Sequence, residues 1–594
     1  MHTFRRSVSR LVAAALPSLW LACAGATDEG ARTFDVQLTG VPPFLEGDTV
    51  TVVGRGLEHA DVRVNGSHVE TLQRDSDRLR FVLVAGVLPR CTGEPLAVPL
   101  EVVSPEASRS LDLPTLGAAP LVDPSPGESV VLQDWGANRC GVVLPAGADY
   151  DLAVVRVVDA TDEGTTTVSP LRRTFVLDAR PVDRADVGEG HALVRSARSA
   201  WKRHQERGLA PEVRTTVPLA TASSAGHACA PPLQAGDSVQ LIQSSASPSA
   251  QAEPTAWYQL ASTSPHVGVL VRSAELQRLS TAQRAEVWSL ADTLERSAIA
   301  FLRRAFTPWP DVDDDPRLFV AYGPLTGVAG LGASPKARVD GCDIDLIWLS
   351  SSLAVSPSTA QHSLSSVLVH EGAHWADASA EPLHRKPAWS IEGFAALAQQ
   401  LWHEENAGIS FRGRDFSGPY CGEGCSLLLL RDERLGYPGL AAGESVNGAS
   451  ILRYLVQQAL TEEASPLVGL DRLRRRRGAV RFSPSFEVLG GTGRTEAELA
   501  ADFLLQFSQS GMSPGASPRI RHATFDLNGA AWRIPGLQNF PLRSFRIDGT
   551  RAQSIALSLA RPDGMVGEVH AGTRPVLLAP RQDDAMAIGV ARRR

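Results

Sequence analysis

Residues Val367–Gln400 read VLVHEGAHWADASAEPLHRKPAWSIEGFAALAQQ. The stretch sets His370, Glu371 and His374 close together and places Glu392 eighteen positions after His374. Side chains four apart on an α-helix lie on one face, one turn from each other, so both imidazoles can reach a single ion. The surrounding SLSSVLVHEGAHWADA has no proline and offers Leu364, Val367, Leu368 and Ala373 for packing, which predicts a helix. PAWSIEGFAALAQQLW predicts a second helix, with Pro387 near its start and an apolar stripe through Ile391, Phe394, Ala395, Ala398 and Leu401. Glu392 lies inside that stripe. If buried it needs a partner, because an unpaired charge in an apolar setting costs several kcal/mol. Taken alone, it reads equally as an exposed residue of an early helical turn, favoured by the helix dipole.

Neutral imidazole is a favoured zinc ligand, and three protein ligands plus a water is the usual catalytic arrangement. A Glu beside the first His is placed to take a proton from the attacking water and deliver it to a leaving amine. Asp377, three after His374, is a candidate for orienting an imidazole from behind, or else an exposed helix-end acid. Gly372 inside the first helix costs about 1 kcal/mol against Ala and leaves room for another backbone to approach.

Together these residues resemble the gluzincin zinc metallopeptidases, in which HExxH on one helix is completed by a Glu on the next. AWSIEGFAALAQ is similar to that family's Trp-x-x-Glu-Gly signature. Among gluzincins the likeness is nearest to the hyicolysin-type neutral zinc metallopeptidases, with PDVDDDPRLFVAYGPLTGVAG and NGASILRYLVQQA adding to it. The resemblance covers roughly Trp257 to Gly511. It implies one catalytic Zn2+ held by His370, His374 and Glu392, Glu371 as general base, and a protein or peptide substrate cut at a peptide bond. It also implies an oxyanion donor. The Tyr that serves aminopeptidase-like members falls here on Ser445, so Tyr437, Tyr420 and His403 are the candidates. A metzincin would carry a third His where Ala380 stands, which excludes that class.

The rest of the chain sets the context. A length of 594 residues implies several domains, and a net charge of −7 spread along the chain carries no basic stripe suited to nucleic acid. The one basic cluster, from Arg472 to Arg477, reads as a solvated helix end. MHTFRRSVSR followed by the apolar LVAAALPSLWLA reads as an export signal over residues 1–24. Its apolar run is too short to span a bilayer, and no later stretch reaches the roughly 20 residues required. Two endings fit: acylation of Cys23 as in a bacterial lipoprotein, with Trp20 in place of the usual Leu, or cleavage after Ala24. The expected location is therefore the cell envelope or the medium. The six cysteines after Cys23 suit three disulfides in an oxidising compartment, with Cys91–Cys140 and Cys421–Cys425 suggested by proximity.

Short alternating strands with Gly, Pro and Asp turns predict a β-sandwich over 34–118, with Asn65-Gly66 as a hairpin turn. GDTVTVVGRGL and ADVRVNG within it resemble the immunoglobulin-like IPT-type modules of exported bacterial proteins. A second β-rich region and linker occupies 119–254, an α+β catalytic domain 255–511, and a C-terminal β-rich domain 512–594. The expected fold is thus multidomain α+β. The acidic turn Asp311, Asp313, Asp314, Asp315 suggests at most a weak Ca2+ site, since Pro316 and Tyr322 replace the Gly and Glu of an EF-hand loop. The rival functional reading is a surface binding or adhesion protein whose peptidase-like domain turns over weakly or not at all.

Overall fold

The computed structural model describes residues 35–593, except 41, 92–93, 106, 126–128, 133–140, 157–172, 184–231, 243–254, 312–314, 326–329, 332–337, 340–343, 354–362, 381–387, 408–441, 461–464, 476–481, 511–543, 560–562 and 581–586. The first nine strands are β1 (Val36–Thr39), β2 (Phe44–Leu45), β3 (Thr49–Gly54), β4 (Asp61–Val64), β5 (Ser67–Val69), β6 (Thr71–Arg74), β7 (Arg78–Val82), β8 (Leu96–Val103) and β9 (Ser108–Gly117). They form two sheets, ordered β1-β3-β7-β6 and β2-β9-β8-β4-β5. The inward residues of both sheets, among them Val52, Phe81, Val62 and Leu100, share one core. Their alternation with exposed neighbours is the period-two pattern of half-buried strands. Asn65 and Gly66 both take positive φ, at 49° and 77°, which closes the β4–β5 hairpin. Cys91 is disulfide-bonded. The other cysteines, and so both suggested pairings, involve positions outside the described residues.

Four strands follow: β10 (Ser129–Leu132), β11 (Val142–Leu144), β12 (Ala148–Arg156) and β13 (Arg173–Pro181). Arg180 on β13 ties them to the first sandwich by donating to the Glu46 carbonyl at 2.8 Å and pairing with Asp48.

A six-stranded sheet comes next, built from β14 (Ser238–Ile242), β15 (Thr255–Thr263), β16 (Val267–Arg272), β17 (Leu318–Gly323), β18 (Gly330–Leu331) and β19 (Leu346–Ser350) in the order β14-β15-β16-β17-β19-β18. It begins inside the interval read from sequence as linker. The pairs β16–β17 and β17–β19 are parallel, while β18 runs antiparallel to β19 at the edge. VGVLVR, LFVAYG and LIWLS are continuous apolar runs because both faces of this sheet are covered. Val269, Val320 and Ile347 join the helical core, whereas Leu270, Phe319 and Trp348 pack in a second core on the opposite face.

The helices are α1 (Ser273–Arg278), α2 (Thr281–Trp288), α3 (Leu290–Leu294), α4 (Ala300–Ala305), α5 (Leu364–Ala380), α6 (Ala388–Ala407), α7 (Ala442–Ala459), α8 (Pro466–Leu473), α9 (Phe482–Val488) and α10 (Glu496–Ser510). Ser280 caps α2 with a full capping box. The pattern through Val287, Leu290, Leu294, Ile299 and Leu302 predicts one long helix, and all five are buried. The helix is nevertheless broken after Trp288 and carries a π-turn at Glu295–Ile299. At the break the buried Ser262 hydroxyl donates to the Val287 carbonyl at 3.0 Å and accepts from the Ala291 N–H at 3.3 Å, replacing the helix's own ladder. No helix among the described residues is long and apolar enough to cross a membrane.

The final strands are β20 (Ser544–Asp548), β21 (Gln553–Leu559), β22 (Asp563–Ala571), β23 (Val576–Pro580) and β24 (Ala587–Arg592). They are not a separate C-terminal unit. They interleave with the 119–254 strands in two sheets, ordered β10-β24-β12-β22-β20 and β11-β23-β13-β21, around a core that includes Tyr150, Phe175, Ile547, Leu557 and Ile588. The six-stranded sheet and the helices are thus inserted between two halves of one sandwich. The division at 512 fails for a physical reason: strand pattern reports which residues face a core, not which distant strand supplies the hydrogen bonds. α10 packs Ala501 and Leu505 into the same core as Val155, Val566 and Ala587 of this sandwich. Beside it Asp502 accepts from Ser129 on β10 at 2.6 Å, from Tyr454 on α7 at 2.8 Å and from Arg494 at 3.0 Å.

Candidate metal centre

α5 and α6 form as the apolar pattern predicts, and their facing sides bring three donor groups to one point. The Nε2 atoms of His370 and His374 stand 3.2 Å apart, and Glu392 Oε2 lies 3.4 Å and 3.6 Å from them. The two rings are nearly perpendicular at 86°. Two donors each about 2.0–2.1 Å from a tetrahedral zinc stand about 3.3 Å from each other, so the three separations match the edges of such a site. Among the described residues this is the one cluster of three or more His, Cys, Asp or Glu groups that could hold a metal ion.

The electrostatics favour a cation. Burial pushes Glu392 up, but the adjacent His374 and His370 rings pull it well below the usual carboxylate range. Burial pushes His374 down, but Glu392, Glu371 and Asp377 around it outweigh that and raise it to about 9. Three acidic groups therefore stabilise positive charge where the imidazoles converge. The residues present fit Zn2+.

The packing explains how Glu392 gets there. A Cβ on Gly393 would lie 2.5 Å from the Gly448 carbonyl carbon and 2.6 Å from its Cα, so α6 and α7 touch backbone to backbone beside the ligand. This contact gives the Glu-Gly pair a structural meaning and accounts for the Gly448-Ala449 step in α7. Gly372 is different from expectation: its neighbour is the Leu302 side chain of α4, at 2.5 Å from a hypothetical Cβ, and not another backbone.

Glu371 is buried and faces the edge strand. A Cβ on Gly330 of β18 would meet Glu371 Cγ at 2.7 Å and Oε1 at 2.8 Å. Gly330 was not read from the sequence as a site residue, since its strand is two residues long and nothing local marks its neighbour.

Asp377 is fully buried, not an exposed helix end. It acts on His374 through its charge, not by bonding the ring: His374 Nδ1 has no hydrogen-bond partner among the described residues. The charge of Asp377 also bears on the buried Arg474. His403 is no oxyanion donor. It is buried between α5 and α6, with Nε2 2.8 Å from Ser366 Oγ, and Gln399 Nε2 donates to the same hydroxyl at 2.7 Å. Tyr437, Tyr420, Cys23 and the Ser445 side chain lie outside the described residues.

Two further expectations change. The carboxylate of Asp315 is bound by Arg317, which donates to Oδ1 from Nε at 2.8 Å and from its backbone N–H at 3.1 Å. The Tyr322 hydroxyl donates to the Ser351 and Leu353 carbonyls, so neither is disposed to bind Ca2+. Asp313 and Asp314 lie outside the described residues. The basic run is in part structural. Arg474 is buried, donating to the Thr307 and Pro308 carbonyls at 2.9 Å and 3.1 Å, and Arg472 donates to the Leu489 carbonyl at 2.7 Å.

No protein-family model and no curated protein matches the chain at a significant level. Solved structures that match include an M1 zinc metallopeptidase from Deinococcus radiodurans, at 15% identity over 80% of this chain and 91% of that one, with a TM-score of 0.23. The same enzyme, mutated and bound to a Tyr-Ser-Ala substrate, matches at 14% identity over 75% and 90%, with a TM-score of 0.23. Aminopeptidase A of Legionella pneumophila in complex with aspartic acid matches at 10% identity over 77% and 46%, with a TM-score of 0.25. Likenesses this weak fix neither fold nor activity, and the functional reading stands on the site itself. The hyicolysin-type likeness and the IPT-type module remain resemblances of sequence.

Proposed function

We propose that the chain is a zinc-dependent peptidase that hydrolyses peptide bonds, with His370, His374 and Glu392 as ligands and Glu371 as general base. The observation that carries this is the triangle of donor atoms at 3.2, 3.4 and 3.6 Å, the spacing of three corners of a tetrahedral zinc site. Zinc, when bound, supplies a Lewis acid that polarises a carbonyl and makes a water easier to deprotonate.

The chain's own residues do the remainder. Glu371, on the helix face beside His370, accepts a proton from the attacking water and returns it to the leaving amine nitrogen. The terminal strand β18 passes next to that carboxylate, so an extended peptide added along the sheet edge would run past Glu371. Acids around His374 hold the cation, and burial of Glu371 and His374 keeps bulk water from the proton path. The leader-like segment 1–24 supports export, with Cys23 as an anchoring residue, and the mass of the mature N-terminus decides between acylation and release.

The test compares wild type with Glu371→Gln for bound zinc and for cleavage of a denatured protein such as casein. Both proteins are expected to hold one zinc per chain, and only wild type to cut. Equal cleavage by the two removes Glu371 from the mechanism. A folded wild type without zinc removes the metal assignment, and a zinc-loaded wild type that cuts nothing favours a binding role.

A further inference from the structure

The facing sides of α5 and α6 bring polar groups together at the candidate metal centre and again near the start of α5 and the end of α6. Ser366 is one helical turn before His370 on the same face, and Gln399 and His403 follow Glu392 by seven and eleven positions on its face. Ser366 Oγ is 2.8 Å from His403 Nε2 and receives Gln399 Nε2 at 2.7 Å, and all three side chains are buried. Beside these points Val367 and Leu368 of α5 and Ala395, Ala396 and Ala398 of α6 belong to one apolar core. Apolar packing tolerates a small slide, because dispersion is non-directional and shallow per contact. Hydrogen bonds do not, since they weaken steeply once distance or angle departs from the optimum.

We infer that the Ser366–His403–Gln399 cluster is a register pin, which fixes how far α6 sits along α5 and so holds the Glu392 carboxylate in reach of both imidazoles. The inference rests on the zinc reading and adds positioning residues that touch neither the metal nor substrate. A shift of one residue rise, about 1.5 Å, would break both bonds of the pin and carry Glu392 out of coordinating range by a similar distance. Burial keeps His403 neutral at ordinary pH, so its ring offers one donor and one acceptor.

The experiment uses the full chain and reads metal binding, not catalysis. His403→Gln places an amide near the position of Nε2, whereas His403→Asn is too short to reach Ser366. Zinc affinity is measured by chelator competition, geometry by the visible spectrum of the Co2+-substituted protein, and folding by the melting temperature of the metal-free form. The Gln variant is expected to match wild type. The Asn variant and Ser366→Ala are expected to bind zinc about tenfold more weakly, with a shifted Co2+ spectrum, within the range known for groups that support metal ligands indirectly. If Asn and Ala variants fold, bind zinc as tightly as wild type and give its Co2+ spectrum, the pin has no positioning role, and a lowered melting temperature alone then marks it as merely structural. Should Ser366→Ala fail to fold, the Gln–Asn pair decides. A wild type that binds no zinc overturns the zinc reading and this inference together, and is recognised because the unmutated chain shows it.

Discussion

Replacing Gly393 with Ala should weaken the proposed zinc site without substituting any of its ligands. The added Cβ would fall 2.5 Å from the Gly448 carbonyl carbon, 2.6 Å from its Cα and 2.8 Å from Ala449 N, all backbone atoms of α7. Ordinary carbon contacts lie near 3.5–4.0 Å, so the helices must separate by about 1 Å. Overpacking of this kind costs about 1–3 kcal/mol, and the better helix propensity of Ala returns about 1 of it. The net loss of stability is therefore about 0–2 kcal/mol. The effect on the site is larger in kind, because Glu392 precedes Gly393 and moves with it, and about 1 Å is half a zinc–oxygen bond length. Gly372→Ala is the control. Its obstacle is the tip of the Leu302 side chain, which can turn away. Chelator competition should show zinc affinity falling at least tenfold for Gly393→Ala and changing little for Gly372→Ala. Equal affinities in the two variants, or wild-type affinity in the first, would refute the idea that helix contact sets the ligand geometry.

Other outcomes follow from single features. Gly330→Val places a side chain against the Glu371 carboxylate and should lower peptide hydrolysis by about 10²-fold with zinc content unchanged; loss of zinc would show that the strand supports the ligands instead. Asp502→Ala leaves the half-buried Arg494 and the buried Tyr454 hydroxyl without their carboxylate and should destabilise the protein by about 1–3 kcal/mol in denaturant unfolding; a change under about 0.5 kcal/mol would deny the link between α10 and β10 its importance. His403 sits at about 4 when folded against roughly 6.5 when unfolded. The unfolded chain therefore binds the extra proton, and stability present above pH 6.5 is lost as pH falls toward 4. The loss is on the order of 3 kcal/mol. Denaturant midpoints at pH 7 and 5 should differ less for His403→Gln than for wild type, and parallel behaviour would contradict the assignment.

The three-donor cluster was legible because its parts are local. His370 and His374 share a turn, Glu392 lies on the next helix, and the period of 3.6 says which way each faces. Ser366, Gln399 and His403 sat on those same faces and could have been found by the same spacing. What the chain alone did not disclose depends on distant partners. The close approach of Gly393 to Gly448 joins helices separated by 408–441, and Ser129 meets Asp502 across 373 positions. The burial of Asp377 and Arg474 was missed because charge count predicts solvation, while burial of a charged side chain is set by tertiary contact. In the C-terminal region SFRID, SIALSLA and RPVLLAP read as strands, whereas β22 and β24 carry Gly567 and Gly589, which blur the pattern.

The place of β24 bears on how the molecule is made. This segment is the last of the described strands, yet it lies between β10 and β12, which are formed from residues more than 400 positions earlier. Emerging from the ribosome, β10 and β12 must wait through synthesis of the whole inserted region with their edges open. Such long-range closure is slow and leaves strands exposed to wrong pairing. Deleting Ala587–Arg592 would remove a central rib from that sandwich.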